Sequence, residues 1–194
     1  MEVDLWEGTT ATATLFHSAF FDMNDALGIP ESTATGDALN QRALGSAEGF
    51  ELFVRRRLTQ KIGGYLSYTL SRSTRAVGGY SFPSAFDRSH VGSTALAYDL
   101  GRGWRAGARF VFYTGIPKTP PSPGLITPPP AEHPERDPAF YRLDVRLEKR
   151  WQLGERTWIS FVAEVLNTTL EKETFGNNEI GPVTIPSVGV EAGF

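Results

Sequence analysis

Between Arg142 and Arg150 a charged side chain stands at every second position. Arg142, Asp144, Arg146 and Glu148 alternate with Leu143, Val145 and Leu147. Side chains two apart on an extended strand share a face, whereas a helix would scatter the same charges around its circumference. The segment therefore reads as a strand with a ladder of alternating sign along one side. Glu51, Arg55, Arg109 and Glu164 stand in other alternating segments and complete the candidate set. Such a ladder has two uses. It can line a hydrated channel, because charges facing hydrocarbon are costly, or it can pair across neighbouring strands and stabilise a wall.

Other groups with chemical potential do not converge. Asp87, Ser89 and His90 are close in sequence, but adjacent strand residues point to opposite faces, so a nucleophile triad is not expected. Asp87, His90 and Tyr113 fall near strand ends and form a candidate ligand rim. His17, His90 and His133 lack metal-ligand spacing, and His133 sits with Glu132 and Glu135 among prolines; no metal is expected. Gly101-Arg102-Gly103-Trp104-Arg105-Ala106 spells a dinucleotide-binding loop, but that loop needs a helix after it and here an alternating strand pattern follows. A tight turn and no cofactor are expected. No nucleophile elbow occurs, and the reading is not that of an enzyme.

Composition sets the frame for these residues. The 194 residues hold 19 basic and 22 acidic side chains, a net charge of -3, too mild for nucleic-acid binding. There is no cysteine, which excludes disulfides and thiolate metal sites. Mean hydropathy is -0.24 and no long apolar run exists, so membrane-spanning helices are excluded. A transmembrane barrel remains compatible, since the polar half of each strand dilutes the average.

The elements that would position the ladder are strands. Trp104, Ala106, Ala108, Phe110 and Phe112 alternate with Arg105, Gly107, Arg109, Val111 and Tyr113. Phe50, Leu52 and Val54 alternate with Glu51, Phe53 and Arg55; Leu66, Tyr68 and Leu70 with Ser67, Thr69 and Ser71. Ile159, Phe161, Ala163 and Val165 alternate with Ser160, Val162 and Glu164, and Val188, Val190, Ala192 and Phe194 close the chain. Thr9–Met23 and Ser89–Asp99 read as extended with weaker faces. Eight up-and-down strands result.

The connections alternate in length. Those around 59–61, 100–103 and 152–155 are short; those at 24–44, 75–85, 117–138 and 168–183 are long. Short turns at one end and long loops at the other are the layout of a transmembrane barrel. Trp104, Trp151 and Trp158 flank short turns, and Phe86, Phe112, Tyr113, Phe140 and Tyr141 lie toward the long loops, as two interfacial aromatic belts would. The expected fold is all-β: an antiparallel up-and-down transmembrane β-barrel, about eight strands of a larger one. Phe194, a terminal aromatic after alternating apolar residues, resembles the signal by which outer-membrane barrels are recognised for assembly, which implies the barrel-assembly machinery as a partner.

The segments together resemble the C-terminal barrel half of TonB-dependent receptors. The resemblance rests on Gly49-Phe50-Glu51-Leu52, Gly64-Tyr65-Leu66-Ser67-Tyr68-Thr69-Leu70-Ser71-Arg72-Ser73, Phe86-Asp87-Arg88-Ser89-His90 and Gly103-Trp104-Arg105-Ala106-Gly107-Ala108-Arg109-Phe110. It continues through Tyr113-Thr114-Gly115-Ile116-Pro117-Lys118-Thr119-Pro120, Arg142-Leu143-Asp144-Val145-Arg146, Glu164-Val165-Leu166-Asn167 and Pro186-Ser187-Val188-Gly189-Val190, in the family's order. It implies location in the cell outer membrane of a Gram-negative organism and uptake of a scarce nutrient such as a siderophore, a cobalamin or a glycan. Residues 1–194 would be the C-terminal part of the barrel domain, with the lipid bilayer as partner and the TonB system engaged only through a plug this sequence lacks. Met1-Glu2-Val3-Asp4-Leu5 is no secretory signal, so the expectation is a fragment whose signal lies upstream. The second reading is a stand-alone eight-stranded barrel with a structural or adhesive role.

Overall fold

The computed structural model describes residues 2–6, 8–21, 44–58, 61–77, 80–118, 134–176 and 178–194. His133 and most of the loops expected at 24–44 and 117–138 lie outside them. The described residues are all-β, built of antiparallel strands: β1 (Glu2–Trp6), β2 (Thr9–Phe20), β3 (Leu44–Arg56), β4 (Ile62–Val77), β5 (Tyr80–Pro83) and β6 (His90–Gly101). These are followed by β7 (Trp104–Tyr113), β8 (Phe140–Gln152), β9 (Trp158–Leu166), β10 (Glu173–Phe175), β11 (Asn178–Ile180) and β12 (Ile185–Gly193). The main sheet runs β1-β2-β3-β4-β6-β7-β8-β9-β12; β5 folds back on the end of β4, and β10 with β11 forms a separate hairpin.

The eight expected strands are β2, β3, β4, β6, β7, β8, β9 and β12. The short β1 adds a ninth, and β5, β10 and β11 lie within segments expected to be plain loops. Tight connections sit at one end of the sheet, as at Gly101-Arg102-Gly103 between β6 and β7. All three of those residues have positive φ, at 83°, 53° and 78°. Gly103 is required there twice over, because a Cβ would also lie 2.1 Å from the Arg150 carbonyl oxygen. The dinucleotide-loop spelling is thus a hairpin turn that leads into strand β7.

Register fixes the faces, since directly opposed residues point the same way. One row runs Thr10, Arg55, Tyr65, Ala95, Arg109, Asp144 across six strands. The adjacent row, on the opposite face, runs Ala11, Val54, Leu66, Thr94, Phe110, Leu143. The first face is mainly polar, with Phe53, Ala95, Val111 and Val162 among its residues, and is strongly charged from β7 onward; the second is mainly apolar, with Glu48, Arg72 and Lys149 as charged members.

Burial is inverted relative to a soluble domain. Among the described residues the buried hydrophobics are Ile116, Phe140 and Val162, whereas Asp87, Asp137, Asp144, Glu148, Ser160 and Asn167 are all buried. Leu66, Leu96, Phe110, Val145, Leu147, Phe161, Val188 and Val190, all on the apolar face, are exposed. Monomeric soluble proteins rarely expose apolar faces of this extent. On β8 the apolar face runs from Tyr141 to Trp151, both exposed aromatics. Those ten residue steps span about 33 Å along the strand, or about 25 Å in height at a ~40° tilt.

The sheet is open. β1 and β12 are its edges and do not pair with each other. Each edge keeps a row of backbone donors and acceptors without a strand partner among the described residues, so these strands do not form a closed eight-stranded barrel.

Candidate functional site

All eight residues of the candidate ladder, Glu51, Arg55, Arg109, Arg142, Asp144, Arg146, Glu148 and Glu164, lie on the polar face by register. They do not form one network. The Glu148 carboxylate is 5% exposed and sits among three guanidinium groups: Arg150 at 2.9 Å, Arg146 at 3.8 Å and Arg105 at 3.9 Å. Arg146 also reaches Glu191 on β12 at 3.1 Å, which carries the network across β9 to the edge strand. These are strand-derived contacts: β7 and β8 bring Arg105 opposite Glu148, and the pleat brings Arg146 and Arg150 to either side of it.

Asp144 forms a second centre. It is 4% exposed, pairs with Arg142 at 3.0 Å, and its Oδ1 accepts the backbone N–H of Asn167 at 2.9 Å. Asn167 is itself buried at φ 55° and organises the loop after β9. Its side-chain amide donates to the carbonyls of Glu171 and Val183, and its Oδ1 accepts from Thr169 and from the Glu171 N–H. By contrast, Arg109 opposes Asp144 in register and Glu164 opposes Arg146, yet among the described residues neither makes an ion pair. Glu51 and Arg55 stand on β3, apart from the network, among threonine and tyrosine side chains.

The candidate rim residues Asp87, His90 and Tyr113 all lie toward the long-loop end but are split by the pleat. Val91, not His90, is the residue opposite Tyr113, so the two rings project from different faces. His90 Nδ1 lies 2.8 Å from the Tyr68 hydroxyl on the apolar face. Asp87 is 2% exposed and fully engaged: Oδ2 takes Arg136 at 2.5 Å and Oδ1 accepts the Ser73 N–H at 2.6 Å. It ties two loops to β4, with both carboxylate oxygens engaged within the protein. The rim is therefore not a single site.

Tyr113 heads a different cluster. It stacks on Phe140 with ring centroids 5.0 Å apart, and Arg88 lies over its outer side at 3.9 Å. Its hydroxyl donates to Glu173, and Arg88 Nη2 sits 3.6 Å from the same carboxylate. Glu173 belongs to the β10–β11 hairpin, so this cluster fastens the hairpin to the sheet. Asp137 does the same by accepting the Gly176 N–H at 2.7 Å.

The aromatic belts need correction. Phe112 pairs with Tyr141, and Trp104 and Trp151 sit on that same apolar face. Tyr113, Phe140 and Trp158 face the polar side, where Arg150 lies 4.0 Å from the Trp158 ring. Neighbours in sequence cannot share a belt on a pleated strand. Phe194 follows the edge strand β12 and is fully exposed. Among the described residues no group of three or more His, Asp or Glu side chains is placed to hold a metal ion. No protein-family model matches the chain, and no curated protein or solved structure matches it.

Sequence reading left Arg105, Arg150 and Glu191 out of the ladder although period two extends to them. Arg88, Arg136 and Glu173 carried no local signal, because their partners lie in distant segments.

Proposed function

We propose that this chain is a length of wall from an outer-membrane β-barrel of the TonB-dependent receptor type. The apolar face meets lipid and the charged face meets a hydrated lumen. The observation that carries the reading is the segregation of faces over eight long strands, with apolar residues exposed on one and Asp144 and Glu148 buried on the other. In water this arrangement is unfavourable; in a bilayer it is the required one. The apolar span between Tyr141 and Trp151 suits a hydrocarbon layer, and tight turns at one end with longer connections at the other suit a barrel whose turns face the periplasm.

Open edges cannot persist in hydrocarbon. Further strands must therefore cover β1 and β12, from a larger barrel or, when this chain is reconstituted by itself, from edge-to-edge pairing of its copies; this favours a segment of a larger barrel over a stand-alone one. In that setting the Glu148 and Asp144 networks stiffen the wall. Arg109 and Glu164, charged and without an ion pair among the described residues, are the lumen groups available to a plug or a passing solute. The solute classes implied by the resemblance are siderophores, cobalamins and glycans. The part proposed for the chain is passage and recognition.

The test is fractionation. An antibody raised against this chain should find the intact polypeptide in the outer-membrane fraction of the source cell, with mobility that changes on heating. Recovery in the soluble fraction would overturn the proposal.

A further inference from the structure

Lys149 is out of place on its face. It lies between Leu147 and Trp151 along β8, with Trp104 opposite it on β7 and Phe161 opposite it on β9. Trp104, Trp151 and Phe161 are all exposed. The ammonium stands 5.1 Å from the Trp104 ring centroid and 5.7 Å from that of Trp151. Its hydrogen-bond acceptor is the backbone carbonyl of Arg102, at 2.6 Å, in the tight turn between β6 and β7. Among the described residues no carboxylate pairs with Lys149, and none pairs with the Arg102 side chain. The nearby acids belong to the opposite face: Glu148 pairs with arginines there, and Asp99 stands opposite Arg105 in register while its Oδ1 accepts the Gly101 N–H at 2.8 Å.

An ammonium on an aromatic, lipid-directed surface is stabilised by bending toward the interface and by meeting an anion there. We infer that Lys149 and Arg102, flanked by Trp104 and Trp151, hold the phosphate of an anionic phospholipid headgroup at the short-turn rim. The site rests on the membrane reading proposed above. Charge complementarity selects the occupant: two cations that make no ion pair among the described residues lie beside rings suited to the headgroup level. One donor of the ammonium is spent on the Arg102 carbonyl, which fixes the lysine toward the turn and leaves its remaining donors for phosphate oxygens.

The test uses the whole chain with Trp6→Phe and Trp158→Phe, so that emission comes from Trp104 and Trp151. It is reconstituted into phosphatidylcholine vesicles holding a minor fraction of either brominated phosphatidylglycerol or brominated phosphatidylcholine. Quenching should reflect enrichment of the anionic lipid at the rim by about fivefold over its bulk fraction. Lys149→Gln with Arg102→Gln should abolish the preference while quenching by brominated phosphatidylcholine persists, and Lys149→Arg should retain it. Equal quenching by the two lipids in the parent chain would overturn the inference and leave the membrane reading intact. Loss of the preference on adding inorganic phosphate, at matched ionic strength, would also overturn it, by showing a site for a free anion. Absence of quenching by both lipids would overturn the membrane reading and this site with it.

Discussion

Asp144 Oδ1 on β8 accepts the backbone N–H of Asn167 at 2.9 Å, so one buried carboxylate joins the charged face to the loop that leads into the edge strand. Asp144→Ala removes that acceptor and leaves Arg142 without its partner. A loss of about 2–4 kcal/mol is expected, since breaking a buried pair strands the remaining groups. Urea unfolding of the refolded chain in detergent micelles checks this. A change within a few tenths would show that the loop does not depend on the contact.

The Glu148 network makes a graded prediction. Glu148 is buried among Arg105, Arg146 and Arg150, while Glu191 is about half exposed and, among the described residues, forms an ion pair with Arg146 alone. Glu148→Gln should destabilise by about 2–4 kcal/mol, because three cations lose a desolvated counter-charge. Glu191→Gln should cost about 1 kcal/mol or less, as solvent screens exposed pairs. The same unfolding experiment measures both, and equal effects would contradict the described burial.

Two glycines in one turn should differ. Gly101 and Gly103 both have positive φ, but a Cβ at Gly101 meets nothing within 4 Å, whereas at Gly103 it would lie 2.1 Å from the Arg150 carbonyl. Gly101→Ala should cost about 1 kcal/mol for the backbone alone. Gly103→Ala should cost about 3 kcal/mol or more and slow refolding, because it pushes β8 away from the turn. Heat-dependent mobility on gels gives the comparison.

Phe110 and Arg109 are neighbours on opposite faces. Phe110→Arg should cost about 2–4 kcal/mol in bilayers if the position is mid-membrane. Arg109→Ala should be tolerated, since Arg109 makes no ion pair among the described residues. Refolding yields into vesicles of both variants provide the readout, and equal costs would remove the face assignment.

The strands and their faces were legible because period two is a local signal that burial on one side enforces. Arg109 and Phe110 could be assigned to opposite faces from sequence alone, and register agrees. The short strands were not legible in the same way. Tyr80-Ser81-Phe82-Pro83 is brief, though Gly78-Gly79 before it spells a hairpin turn. The β10–β11 hairpin has a similar cue in Gly176, at φ 61°. Contacts such as Asp87 with Arg136, 49 residues apart, depend on how loops fold over the strand ends, and no periodicity encodes that. Grouping Tyr113 with Phe112 in one belt neglected the pleat, which sends Tyr113 to Phe140 and Arg88 instead.

In the proposed membrane setting one face of this sheet meets lipid and the other meets water. The chain has no cysteine, so single cysteines can carry spin labels without background. Labels placed one at a time from Gly107 to Phe112 on β7, in the chain reconstituted into vesicles, should alternate in collision rate. Positions 108, 110 and 112 should be most accessible to oxygen dissolved in the bilayer, and 107, 109 and 111 to a water-soluble nickel chelate. Uniform access to the nickel chelate at all six positions would contradict the account.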